Sequence, residues 1–136
     1  MEFLSNNLML VTLVFLSGSM LLWSFVGNRL RGVTEVDSLG ALQMINHKDA
    51  FVLDVREKVE FEAGHILNAK HLPLGKLMER MGEIEKYRNR PVVVVCRGGH
   101  RSATAVQLLN KQGFSQAISL AGGVVAWQKA NLPLEK

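Results

Sequence analysis

The chain has 136 residues, 48% of them hydrophobic, and a formal net charge of +4, so it has room for one domain and a short additional segment. Its single cysteine excludes an internal disulfide framework and a CxxC redox or zinc pair. The basic residues are scattered and often stand beside acidic ones, as at Arg56, Glu57 and Lys58, so we expect no binding to nucleic acid.

The first predicted element is an apolar run at 8–26 that contains no charged residue. As a helix it would extend about 28 Å, close to the hydrocarbon thickness of a bilayer. Arg29 and Arg31 follow it and no basic residue precedes it, so the N-terminus is expected outside and the rest of the chain in the cytoplasm, at the inner membrane. The predicted segments are a tail at 1–7, a single-pass transmembrane helix at 8–27, a linker at 28–32 and a domain at 33–136.

Two other interpretations of the apolar run stay open, although each fits less well. A cleaved signal peptide needs a basic start and a small-residue cleavage site, whereas this chain begins with Met1, Glu2 and Phe3 and the run ends in Ser-Phe-Val-Gly. A buried core helix agrees poorly with a long apolar run that has basic residues after it. The membrane anchor is therefore the preferred prediction, with the lipid bilayer as a partner.

Strand-like and helix-like segments alternate from residue 33 onward. Apolar runs predict strands at 33–36, 51–55, 69–72, 91–95 and 117–120. Between them lie predicted helices: one capped by Asp37 or Ser38, one at 57–63, one beginning at Pro73, one at 102–112 and one at 124–130. This alternation indicates an α/β fold, in which helices cover both faces of a central parallel sheet of about five strands. In such sheets, ligands bind beyond the carboxyl ends of the strands.

Cys96 directly follows the clearest of these strands and begins a short loop before a helix. Gly98 and Gly99 allow the loop to curl, and curled backbone amides form an anion-binding nest. Arg97 and Arg101 add positive charge, as does the start of the helix, so a thiolate or a bound oxyanion is favoured here. A buried structural cysteine is the alternative, but it explains neither the paired glycines nor the arginines.

Three ordered motifs extend this interpretation. The loop at 96–102 resembles the active-site loop of rhodanese-domain sulfurtransferases, C-x-x-G-x-R-S. The segment at 53–73 is similar to the family's D-V-R-E…F…G-H-I pattern, and the segment at 120–127 to its L-x-G-G-x-x-x-W ending. The resemblance runs from about residue 33 to residue 133. It implies a rhodanese-like fold and, with the predicted anchor, a single-domain, membrane-anchored bacterial type.

The resemblance also implies a chemistry for Cys96. The cysteine would form a persulfide with sulfane sulfur from thiosulfate or another persulfide and pass it to a thiol or to cyanide, with ping-pong kinetics. The implied anion-binding loop consists of Arg97, Gly98, Gly99, His100 and Arg101. Asp54 and Arg56 are expected near the site, more as an ion pair than as acid and base. We expect no cofactor, and the spacing of the four histidines predicts no metal site.

Two alternatives concern the use of this loop. The related dual-specificity phosphatases have five residues between cysteine and arginine, whereas four residues separate Cys96 from Arg101, which favours sulfur over phosphate. The second alternative is a membrane-tethered rhodanese-like module that docks partner proteins, such as a membrane protein, with incidental sulfurtransferase activity. The preferred prediction is a membrane-anchored, thiosulfate sulfurtransferase-like enzyme.

Overall fold

The computed structural model describes residues 2–30 and 33–136 and divides the chain into two compact units, Met1–Gly32 and Val33–Lys136. The first unit contains helix α1, Glu2–Asn6, and helix α2, Leu8–Leu30. Within the described residues, no helix is long and apolar enough to cross a membrane, so the transmembrane helix predicted at 8–27 is not found. The predicted tail at 1–7 and linker at 28–32 include Met1, Arg31 and Gly32, which lie outside the described residues.

The second unit contains the predicted parallel sheet. Its five strands have the order β1-β5-β4-β2-β3, and every pair of neighbours is parallel. The strands are β1 Glu35–Val36, β2 Phe51–Asp54, β3 Lys70–His71, β4 Val92–Val95 and β5 Ala117–Leu120. In the central register, Val94 of β4 lies beside Leu53 of β2 and Ser119 of β5. The residue after β4 therefore lies at the carboxyl edge of the middle strand.

Four helices of this unit follow strands of the sheet. They are α3 Ser38–His47, α4 Lys58–Glu62, α5 His100–Lys111 and α6 Gly123–Lys129. The Asp37 side chain accepts a hydrogen bond from the Gly40 amide, so it caps α3 as predicted. Helix α5 begins two residues before the predicted start because Gly99, in the left-handed region at φ 105°, is its N-cap.

The helix predicted to begin at Pro73 is not an α-helix. Two short 3₁₀ helices, Leu74–Lys76 and Met81–Tyr87, take its place. Gly75 and Gly82 lie within them, and glycine lowers helix stability by about 1 kcal/mol relative to alanine. The tighter 3₁₀ turn is common in such short connecting segments.

The core has two layers, one on each face of the sheet. Alternating residues of β4 point to opposite layers: Val92 and Val94 to the layer beneath α5, and Val93 and Val95 to the layer beneath α3 and α6. Cys96 continues this alternation and belongs to the α5 layer. The cysteine side chain therefore lies on the face where α5 begins.

Candidate active site

The Cys96 sulfur lies in a pocket of backbone and hydroxyl groups. The residue is 1% exposed, and the Gly99 amide donates a hydrogen bond to its Sγ at 2.8 Å. Helix α5, 12 residues long, begins directly after Gly99, so its positive dipole end lies beside the loop. The amide N–H and the helix dipole both direct positive partial charge toward this sulfur.

Two buried serines contact each other beside the cysteine, and one of them, Ser102, contacts the sulfur. The Cys96 thiol donates to Ser102 Oγ at 3.4 Å, and the Ser102 hydroxyl donates to the Gly99 carbonyl at 3.0 Å. Ser119 Oγ is 2.6 Å from Ser102 Oγ. A hydroxyl has one proton and two acceptor positions, so Ser102 can accept from the thiol and, after rotation, donate to a thiolate. Ser119 is absent from the predicted site residues, although a polar residue inside an apolar strand can indicate such a buried contact.

The start of α6 holds the backbone of the cysteine loop. The Val124 amide donates to the Cys96 carbonyl at 2.9 Å, and the Val125 amide donates to the Arg97 carbonyl at 3.2 Å. Gly123, at φ +58°, allows this approach: a Cβ there would lie 2.3 Å from the Cys96 carbonyl oxygen and 2.4 Å from that of Arg97. Gly123 therefore allows the start of α6 to hold the cysteine loop.

The Arg101 side chain is held by an ion pair with Glu60. Its guanidinium donates to both carboxylate oxygens of Glu60, at 2.7 Å and 2.9 Å. Those hydrogen bonds lower the pKa of Glu60 from 4.5 to about 2, and they raise the pKa of Arg101. Glu60 is absent from the predicted site residues. Its local signal was the capping box that it forms with Glu57 at the start of α4.

Acid should remove the contribution of this ion pair to stability. Because the pKa of Glu60 is lowered on folding, its stabilisation is complete above about pH 4.5 and is lost as the pH falls towards 2. The pair is about one-third exposed, so Glu60→Gln is expected to cost only about 0.5–1 kcal/mol at neutral pH. Urea unfolding across this range should show the difference from wild type shrinking as the pH falls. A constant difference would contradict the assignment.

Asp54 and Arg56 form a buried ion pair at the end of β2. The Arg56 guanidinium donates to Asp54 Oδ2 at 2.7 Å and to the Gly64 carbonyl at 2.8 Å. Their side chains are 1% and 6% exposed. These hydrogen bonds tie the end of β2 to the turn after α4, so the pair supports the segment that carries Glu60.

The remaining predicted loop residues lie at the surface. Arg97, Gly98 and His100 are exposed, whereas Gly99 is partly buried. Within residues 2–30 and 33–136, Arg97 forms no ion pair, so its guanidinium is available to a bound anion. The predicted cysteine loop is thus assembled at one edge of the sheet, with Arg101 held by Glu60 and Arg97 open to solvent.

The chain is an α/β protein with a buried cysteine in an amide-lined loop at the carboxyl end of the central strand of its parallel sheet, the edge at which such proteins bind ligands. The sequence model of the rhodanese-like domain matches residues 40–130 of this chain. The chain therefore belongs to the rhodanese-like domain family, as its three motifs predicted.

Named relatives agree with this assignment. Thiosulfate sulfurtransferase GlpE of Vibrio cholerae is 37% identical over 100 residues, which cover 74% of this chain and 92% of the relative. A sulfurtransferase of Allochromatium vinosum is 37% identical over 103 residues, covering 75% and 94%. A rhodanese-related protein from Thermoplasma volcanium, 29% identical, aligns with a TM-score of 0.68 over 75% of this chain and 97% of that structure.

Proposed function

We propose that this protein is a rhodanese-type sulfurtransferase that moves sulfane sulfur from a donor, such as thiosulfate or a persulfide, to a thiol or cyanide through a persulfide on Cys96. The observation that carries the proposal is the 2.8 Å hydrogen bond from the Gly99 amide to Cys96 Sγ, at the start of a helix. This contact supports a sulfur nucleophile in an anion-binding loop. The relatives named as sulfurtransferases support the same activity.

The first step loads the cysteine. The Cys96 thiolate attacks the outer sulfur of thiosulfate, a new S–S bond forms, and the donor's own S–S bond breaks. Sulfite leaves with the electron pair of that bond, so the negative charge is conserved. Arg97 and the loop amides are suited to hold the donor's oxygens, because guanidinium and amide N–H groups donate strong hydrogen bonds to oxyanions.

The second step transfers the sulfur from Cys96 to the acceptor. A thiolate or cyanide attacks the outer sulfur of the persulfide, and the S–S bond breaks to return the Cys96 thiolate. The chain contains no second cysteine, so the acceptor must be another molecule. The Ser102 hydroxyl, 3.4 Å from the sulfur, is placed to donate to the thiolate that leaves.

Initial-rate kinetics test this order of events. Thiocyanate formation from thiosulfate and cyanide should give parallel lines in double-reciprocal plots, because sulfite leaves before the acceptor binds. Lines that converge would mean that both substrates bind together, and they would contradict a persulfide intermediate.

Placement at the inner membrane, with the catalytic domain in the cytoplasm, is a separate proposal. It rests on the sequence alone: on the uncharged run at 8–26 and on Arg29 and Arg31 after it. The protein is expected to stay with the membrane fraction after an alkaline carbonate wash. Release into the supernatant would contradict the anchor and leave the sulfurtransferase proposal intact.

A further inference from the structure

Most of the positive charge around the loop is already balanced by carboxylates. The bidentate contact between Arg101 and Glu60 joins a cation and an anion that are 34% and 29% exposed. Arg56, the cation at the end of the neighbouring strand, is paired with Asp54 at 2.7 Å. In the part of the chain that the structure describes, Arg97 has no such partner.

This balance matters for the donor because sulfane donors differ in charge. Thiosulfate carries two negative charges, whereas an alkanethiosulfonate anion or a persulfide anion carries one. Each added negative charge on the donor is attracted by an unbalanced cation nearby and repelled by a carboxylate nearby. A loop with Glu60 beside Arg101 therefore attracts a dianion less strongly than the same loop without that carboxylate.

We propose that Glu60 is a specificity-determining residue that, by balancing Arg101, favours singly charged sulfane donors over doubly charged thiosulfate. The inference rests on the proposed sulfur transfer and deepens it. Glu60 acts through Arg101 and is thus a positioning residue. It holds the guanidinium in place and sets the net charge that the donor meets.

Two donors that differ mainly in charge separate the effect of charge from that of size. Thiosulfate and methanethiosulfonate have a similar size and the same reacting sulfur, but they differ by one negative charge. With methanethiosulfonate, the Cys96 thiolate forms a bond to the outer sulfur, the donor's S–S bond breaks, and methanesulfinate leaves with the electron pair. Two singly charged anions react, the thiolate and the donor, and two are formed, the persulfide and methanesulfinate. Charge and electrons therefore balance, as they do with thiosulfate. Their intrinsic reactivities differ, so the informative quantity is how a variant changes the ratio of the two kcat/KM values.

The test compares Glu60→Gln with the wild type. Glutamine keeps one oxygen that can accept from Arg101 Nη1 and from the Glu57 amide, and it loses the negative charge together with the second hydrogen bond, from Arg101 Nη2. We expect kcat/KM for thiosulfate to rise about five- to tenfold relative to that for methanethiosulfonate. The gain should shrink at high salt, because salt screens partly exposed charges.

Glu62→Gln is the matched control, since it removes the same charge from the same helix. Glu62 is 63% exposed and pairs only with Lys58 among the described residues, so its variant should leave the donor ratio unchanged. A ratio that does not move in Glu60→Gln, or that moves equally in both variants, would overturn the role of Glu60. If the wild type loads sulfur from neither donor, the proposed function itself fails.

Discussion

Replacing Cys96 with serine is expected to abolish sulfur transfer. A hydroxyl at this position does not ionise near neutral pH and forms no S–S bond, so neither step can proceed. We expect thiocyanate formation to fall by at least about three orders of magnitude, the usual scale for loss of a covalent nucleophile. The assay is initial-rate thiocyanate release from thiosulfate and cyanide.

The fold should survive this substitution. The serine oxygen can accept from the Gly99 amide and exchange hydrogen bonds with Ser102, the two partners that the sulfur has now. The melting temperature is expected to change by only a few degrees, which corresponds to about 1 kcal/mol or less in the free energy of unfolding. A folded Cys96→Ser protein that keeps wild-type turnover would exclude Cys96 as the sulfur carrier.

Gly123→Ala is expected to have the second largest effect. The new Cβ would lie 2.3 Å from the Cys96 carbonyl oxygen, at a backbone φ of +58° that alanine rarely adopts. Either α6 or the cysteine loop must move, and the hydrogen bonds from Val124 and Val125 to the loop carbonyls weaken. We expect a loss of about 2–4 kcal/mol in the free energy of unfolding, together with a fall in sulfur transfer of at least about tenfold. Urea unfolding and thiocyanate release measure the two effects.

Gly82→Ala provides the matched comparison. It makes the same chemical change, but a Cβ at Gly82 would meet no heavy atom within 4 Å outside its chain neighbours and its own helix backbone, and this glycine does not have a positive φ. Its free energy of unfolding is expected to stay within about 1 kcal/mol of wild type, with unchanged sulfur transfer. Equal effects of the two substitutions would show that close approach at Gly123 does not position the loop.

The sheet could be predicted from the sequence because its signals are strong and local. The valines at 92–95 form a continuous β-branched run, and such runs are typical of strands buried on both faces. The strand ends directly before Cys96, so the position of the cysteine at the sheet edge followed from the same run. The helix expected at Pro73 had only weak apolar spacing, and Gly75 and Gly82 favour short 3₁₀ turns there.

The contacts around the loop could be predicted only in part. The local features of 96–101, its glycines and arginines, indicated an anion-binding loop around one cysteine. The partner of Arg101 did not follow, because Glu60 is 41 residues away in the chain and the two segments are brought together by the pairing of β2 with β4. The contact between Ser119 and Ser102 joins separate elements in the same way. Spacing along the sequence predicts neither contact.

Intact mass spectrometry after incubation with thiosulfate tests the persulfide most directly. The wild-type protein is expected to gain the mass of one sulfur atom, and cyanide should remove that mass and release thiocyanate. The Cys96→Ser protein should show no gain under the same conditions. No added sulfur on the folded wild-type protein, or an equal gain in the serine variant, would contradict sulfur transfer through Cys96.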